Sequence, residues 1–152
     1  MRLSEAPFAF RRPAPPHLTC RLQLFQGVGN GLPVRKILVV DKESTAVILV
    51  KLLQHCGYDA VFEPTGEAAL KTAAVFEPDV IFIDLIMPDM SGYDIAQKLR
   101  FHRSNGKPKL ISLTGYVRGQ GQGDDSVFDD YLVKPVDVET FRKVIDGGVG
   151  QT

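Results

Sequence analysis

The pattern of hydrophobic and polar positions changes sharply near residue 36. Beyond it, short apolar runs alternate with stretches whose apolar residues recur at helical spacing. The apolar runs are expected to be strands, at 37–40, 60–62, 80–83, 110–113 and 131–133. The helical patterns lie near 44–56, 66–76, 93–103 and 138–145. Because the strands are apolar throughout and alternate with helices, they predict an α/β fold with a parallel sheet, doubly wound, with helices on both faces.

Three segments depart from this alternation. Residues 115–130 are rich in glycine and acids, so the fourth helix is expected to be short or irregular. Residues 1–34 carry five prolines and show neither helical nor strand periodicity, which predicts a disordered basic tail. The alternative interpretation of this segment is a transit peptide. The folded domain is therefore expected over 35–146, followed by a flexible C-terminal tail at 147–152.

Charge and cysteine content narrow the possible classes of protein. The formal net charge is zero, but residues 1–36 carry a balance of +5 and the remainder −5. An acidic folded part argues against nucleic acid as a partner, because binding to phosphates needs clustered lysines and arginines. No apolar run approaches the ~20 residues of a membrane helix. Two cysteines without a signal peptide favour a reducing compartment, and we expect a cytoplasmic protein.

Polar residues stand where four of the predicted strands end. Asp41 follows the first strand, Asp84 the third, Thr114 the fourth and Lys134 the fifth. In parallel sheets ligands bind beyond the carboxyl ends of the strands, so these groups are expected to converge. Two adjacent carboxylates call for a cation such as Mg²⁺, and a carboxylate beside it can attack phosphorus. Lys134 and Thr114 could then stabilise the phosphoryl oxygens.

Four stretches in this order resemble the receiver domain of two-component response regulators. They are the strand-ending Asp41, "IDLIMPDMSG" around Asp84, "SLTGY" with Thr114, and "FDDYLVKPVD" with Tyr131, Lys134 and Pro135. The resemblance covers residues 36 to about 146 and implies a flavodoxin-like (βα)5 receiver fold. The last two stretches are most similar to receivers of hybrid histidine kinases.

The resemblance assigns a role to each matching side chain. Asp84 would be the phosphoacceptor and would take a phosphoryl group from a histidine kinase or a histidine phosphotransfer protein. Lys134 and Thr114 would contact the phosphoryl group, and Thr114 would switch position together with Tyr131. Gly92 would permit a tight turn after the Met-Pro loop.

The resemblance also implies a metal site and one unusual peptide bond. Mg²⁺ would be held by Asp41, by Asp84 and by the backbone carbonyl of Ile86. The Lys134–Pro135 bond would be cis.

Lys42 departs from the family pattern, because receivers usually carry a second metal-binding acid at this position. The substitution removes a negative charge and adds a positive one, so metal affinity should fall. Three consequences are possible. Glu43 could turn inward as a replacement metal ligand, or the Lys42 ammonium could take the place of the metal near Asp84. Alternatively, Lys42 could point into solvent, and Asp41 and Asp84 would then suffice as the acidic residues of the metal site.

Two functions follow, and a third is set aside. The first is a single-domain phosphoacceptor that signals to an unknown downstream protein by contact and catalyses only its own phosphotransfer and dephosphorylation. Only seven residues follow Ile145, so no DNA-binding output domain is expected. The alternative is a phosphorylation-independent pseudo-receiver that acts as an interaction module. The third function, an enzyme of the haloacid-dehalogenase type, is set aside because it would need a second acid two residues after Asp84, and that position is Ile86.

Overall fold

A computed structural model describes residues 34–101, 108–115 and 124–147. The strands are β1 Lys36–Val40, β2 Asp59–Glu63, β3 Val80–Asp84, β4 Lys109–Thr114 and β5 Asp130–Val133. The α-helices are α1 Thr45–His55, α2 Gly66–Phe76, α3 Gly92–Phe101 and α4 Val138–Ile145. Within these ranges, no helix is long and apolar enough to cross a membrane. The predicted tails lie almost wholly outside the described residues, as do the last two residues of the helix predicted at 93–103.

The five strands form one sheet in the order β2-β1-β3-β4-β5, and every neighbouring pair is parallel. This arrangement confirms the predicted doubly wound sheet. β1 and β3 lie side by side near the centre, with Val40 opposite Ile83. Asp41 and Asp84, the next residue along each strand direction, are therefore neighbours at the carboxyl edge.

Two apolar layers cover the sheet because side chains alternate between its faces. Ile37 and Val39 point to the layer that contains α1 and α4, whereas Leu38 and Val40 point to the layer that contains α2 and α3. In the first layer, Phe82 packs edge-on against Phe141 of α4, with ring centroids 4.8 Å apart. The central strands are buried on both faces, which explains their continuous hydrophobic sequence.

The helices begin and end at residues suited to these positions. The Thr65 hydroxyl accepts a hydrogen bond from the Ala68 amide at 3.3 Å and caps the start of α2. Asp137 does the same for α4 through the Thr140 amide, at 2.8 Å. After α1, Gly57 adopts a φ of 97°, the left-handed conformation in which glycine commonly ends a helix.

The connection between β4 and β5 contains a single-turn 3₁₀ helix, Asp125–Val127, in its described part. This agrees with the expected short or irregular helix; residues 116–123 lie outside the described part. Arg100 of α3 fixes the end of the connection. Its Nη2 lies 2.6 Å from Asp129 Oδ2, and its Nε donates to the Val127 carbonyl at 3.1 Å. Asp129 also accepts from the Leu110 amide at 2.7 Å, so one carboxylate joins α3, β4 and β5.

Candidate functional site

The carboxyl edge of the sheet brings the four predicted polar residues together. Asp41 and Asp84 are buried, with only 5% and 4% of their surface exposed. Thr114, the last residue of β4, is buried as well, and Lys134 follows β5 directly. Because each residue is the last of its strand or directly follows it, the parallel arrangement alone brings all four to one region.

Lys134 bridges the two buried carboxylates. Its Nζ lies 2.6 Å from Asp41 Oδ2 and 3.3 Å from Asp84 Oδ2. Burial by itself would lower the pKa of Lys134, but the hydrogen bond to Asp41 and the charges of both aspartates outweigh it and raise the pKa above its ordinary value. The Lys134 amide donates to the Thr114 carbonyl at 2.7 Å, and the Lys134–Pro135 peptide bond is cis.

Lys42 reaches into the same cluster from the residues between β1 and α1. Its Nζ lies 2.6 Å from the carbonyl oxygen of Ile86 and 3.0 Å from Asp84 Oδ2. These two oxygens belong to the groups that the family resemblance assigned to Mg²⁺. Among the three consequences considered for Lys42, this geometry corresponds to the ammonium in the place of the metal.

The remaining carboxylate oxygens are held by backbone amides. Asp41 Oδ1 accepts from the Glu43 amide at 2.8 Å, and Asp84 Oδ1 accepts from the Ile86 amide at 2.9 Å. The Glu43 residue itself is exposed. Among the described residues, no three His, Cys, Asp or Glu side chains form a group that could hold a metal ion. With Lys42 in this position, the residues present do not fit Mg²⁺.

Gly92 was predicted to permit the tight turn after the Met-Pro loop, and its amide closes this loop by donating to the Leu85 carbonyl at 3.0 Å. Its φ is not positive, so no left-handed turn requires a glycine there. A Cβ at this position would instead lie 2.5 Å from the carbonyl oxygen of Asp84 and 2.7 Å from Cα of Leu85. The first turn of α3 therefore packs directly against the backbone of the central aspartate, and only glycine permits this contact.

Asp89 is a structural residue of the site that the sequence analysis missed. Its carboxylate accepts from the amides of Gly66 and Glu67, both at 2.9 Å, and so caps α2 from the loop that follows β3. These two hydrogen bonds lower the pKa of Asp89 below its ordinary value of 3.8. They tie to α2 the same loop that presents the Ile86 carbonyl to Lys42.

Replacing Asp89 by alanine is expected to lower the thermal unfolding midpoint by a few degrees near neutral pH. The folded-state pKa of this group is depressed, so its contribution is present above the unfolded-state pKa and is lost as pH falls through the folded-state value. Thermal unfolding of wild type and Asp89→Ala, followed by circular dichroism from about pH 7 to about pH 3, should show the difference shrinking. An equal difference at both ends of that range would contradict the assignment.

Tyr131, the predicted switch residue, lies in an aromatic cluster on the α3 side of the sheet. It is 8% exposed, and its ring meets Phe128 edge-on at 5.8 Å. Phe128 in turn contacts Tyr93 of α3 in the same geometry, at 5.8 Å. In this structure Tyr131 belongs to the core, and its role as a switch stays a prediction.

A cavity of about 610 Å³ opens beside the carboxylates, between α1 and α4. Asp41, Glu43 and Lys134 line its polar side, and Leu49 with Phe141 contribute to its apolar wall. Asp84 is not among the lining residues, so the cavity adjoins the carboxylate pair from the Asp41 side.

The fold and the strand-end residues together define a receiver domain. The family model described as "Response regulator receiver domain" matches residues 37–146. The chain belongs to this family, which confirms the membership predicted from its motifs. Receiver domains are signalling domains and generally not enzymes.

Named relatives agree with this assignment. RpaA of Synechocystis sp., a DNA-binding dual master transcriptional regulator, is 35% identical over 107 residues, which cover 68% of this chain and 44% of RpaA. A CheY-like receiver domain from Methylobacillus flagellatus has a TM-score of 0.68 at 27% identity, over 74% of this chain and 97% of that one. TrrA of Thermotoga maritima has a TM-score of 0.65 at 29% identity, over 74% of this chain and 97% of that one. The chain spans less than half of the length of curated relatives such as RpaA.

Proposed function

We propose that this chain is a phosphoacceptor receiver: Asp84 takes a phosphoryl group from a histidine kinase or a histidine phosphotransfer protein, and the phosphorylated domain signals to a downstream protein by contact in the cytoplasm. Its only chemistry is its own phosphotransfer and dephosphorylation. TrrA, a structural relative, has been solved in complex with the histidine kinase ThkA, which supports a kinase as the donor.

One observation carries the proposal. A single carboxylate oxygen, Asp84 Oδ2, lies within 3.3 Å of two ammonium groups, those of Lys42 and Lys134. A phosphoryl group on Asp84 would bring additional negative charge to the place where both cations already point. Groups oriented in advance toward developing charge stabilise the transition state of phosphoryl transfer.

Intact-mass spectrometry after incubation with acetyl phosphate tests this proposal. We expect the wild type to gain the mass of one phosphoryl group and Asp84→Asn to gain none, because the amide cannot act as the nucleophile. Asp59→Asn serves as the control, since Asp59 is an exposed acid at the opposite, amino end of the sheet. Uptake by Asp84→Asn equal to that of the wild type would reject Asp84 as the acceptor.

The second candidate is a pseudo-receiver that binds partners without phosphorylation. The contact between Lys42 and Asp84, at 3.0 Å, favours it, because the nucleophilic carboxylate is already paired. The same mass measurement distinguishes the two functions: this candidate requires that the wild type takes up no phosphoryl group under any condition.

A further inference from the structure

The cation that a receiver normally obtains from solution is built into this chain. We propose that the Lys42 ammonium takes the place of the magnesium ion, so that Asp84 accepts a phosphoryl group without a divalent metal. TrrA, by comparison, has been solved in a complex with Mg²⁺ and BeF. The inference rests on the proposed phosphoacceptor function and extends it.

The position of the Lys42 nitrogen is the first argument. It lies within hydrogen-bond distance of both Ile86 O, at 2.6 Å, and Asp84 Oδ2, at 3.0 Å. A magnesium ion shared by these two oxygens would sit about 2.1 Å from each and would therefore press against the ammonium. A divalent ion and an ammonium so close together repel strongly, whereas the ammonium alone satisfies both oxygens.

The charge balance is the second argument. The groups in direct contact are two carboxylates, Asp41 and Asp84, and two ammonium groups, Lys42 and Lys134. The charges of these four groups cancel without any metal, and the negative charge of Glu43, which also acts on Lys134, would offset only half of the two positive charges that an added Mg²⁺ brings. Replacing an acid by a lysine at position 42 changes the local charge by two units, which equals the charge of the ion it replaces.

The exposure of Lys42 is the third argument. Its side chain is 40% exposed, while that of Asp84 is 6% exposed. The Lys42 side chain is therefore accessible from solvent while it contacts the buried carboxylate. It has three N–H donors, so it can keep the Ile86 carbonyl and still donate to an incoming phosphoryl oxygen.

The transfer step needs no component beyond the donor. A carboxylate oxygen of Asp84 forms a bond to phosphorus while the phosphorus–nitrogen bond of the donor's phosphohistidine breaks. The electron pair of that bond returns to the imidazole nitrogen, and the ring leaves neutral because its other nitrogen carries a proton. Lys42 and Lys134 donate to the phosphoryl oxygens throughout, which is the task that a metal performs in phosphoryl transfer.

The test uses phosphoramidate, whose phosphorus–nitrogen bond resembles that of phosphohistidine and whose leaving group is ammonia. Phosphoryl uptake is followed by intact mass in EDTA and in millimolar Mg²⁺ for the wild type, Lys42→Asp and Lys42→Met. We expect equal rates in both buffers for the wild type and uptake only with Mg²⁺ for Lys42→Asp, which regains a second acid. Lys42→Met, of similar length but uncharged, should be slower by about 100-fold in EDTA.

Calorimetric titration with Mg²⁺ gives a second readout that does not depend on phosphorylation. The wild type should show no binding at millimolar Mg²⁺, whereas Lys42→Asp should bind. Circular dichroism of each variant verifies that it is folded.

Each alternative outcome has its own meaning. Uptake by the wild type that stops in EDTA and returns with Mg²⁺ overturns this inference and leaves the proposed function standing. Uptake by Lys42→Asp with Mg²⁺, but never by the wild type, also overturns it. That result would mean that the ion pair between Lys42 and Asp84 prevents phosphorylation. If neither protein takes up phosphate in any buffer, the phosphoacceptor function itself fails.

Discussion

Gly92→Ala should destabilise the protein by about 2 kcal/mol and at the same time reduce phosphoryl uptake at Asp84. The added Cβ would lie 2.5 Å from the Asp84 carbonyl oxygen and 2.7 Å from Leu85 Cα. Both atoms belong to the backbone, so no side-chain rotation relieves the overlap, and either α3 or the end of β3 must move. The usual gain of alanine over glycine in a helix, up to about 1 kcal/mol, offsets only part of this cost.

Urea denaturation gives the stability change, and the acetyl phosphate assay gives the change in uptake. Gly115→Ala is the matched control: this glycine directly follows Thr114 at the same edge of the sheet, yet a Cβ there meets nothing within 4 Å. We expect Gly115→Ala to remain near wild type in stability. Equal stability losses in the two variants would show that the close approach of Gly92 to β3 is not what requires glycine.

The strands and helices were predictable because their local signals agree with the packing. The buried runs of β1 and β3 are apolar at every position, as a strand covered on both faces requires. Their observed ends differ from the prediction by a single residue; β3, predicted at 80–83, includes Asp84. The end of α1 was equally predictable, because Gly57 follows an amphipathic stretch and a glycine in this position commonly terminates a helix.

The candidate site was predictable as far as the backbone determines it. Asp84 ends β3, and Asp41 and Lys134 directly follow β1 and β5, so sheet topology alone brings them together. The orientation of Lys42 was not determined in this way, because a long flexible side chain chooses its partners from groups distant in sequence. Its two partners, Asp84 and Ile86, lie 42 and 44 positions further along the chain.

Two residues between β3 and the body of α3 show the same limit. Asp89 caps α2 across 22 and 23 positions, and nothing in the local sequence names that helix as its partner. Gly92 was recognised as permitting a turn, but its close approach to the backbone of β3 was not predicted. Whether a glycine is needed for its φ or for a close approach depends on atoms that sequence patterns do not place.

Lys134→Met should destabilise the protein by about 2 kcal/mol because it removes the ammonium that holds Asp41. The Asp41 side chain is 7% exposed, and without Lys134 the hydrogen bond that remains to it within the described part of the chain comes from the Glu43 amide, on the other carboxylate oxygen. Fully buried pairs lose about 3–5 kcal/mol when one partner is removed, and the 25% exposure of Lys134 places this site below that range. Asp84 is less affected, since Lys42 still contacts it at 3.0 Å.

A double-mutant cycle with Asp41→Asn separates this electrostatic loss from lost packing. If the cost of Lys134→Met comes from a stranded carboxylate, then neutralising Asp41 in the same molecule should recover at least about 1 kcal/mol in urea denaturation. The double variant would then be more stable than Lys134→Met alone, although it carries one substitution more. Additive losses would mean instead that the cost of Lys134→Met does not come from the pairing of Lys134 with Asp41. The coupling of Lys134 to Asp41 matters for function as well, because the lysine that neutralises the buried aspartate is also within 3.3 Å of the proposed phosphoacceptor.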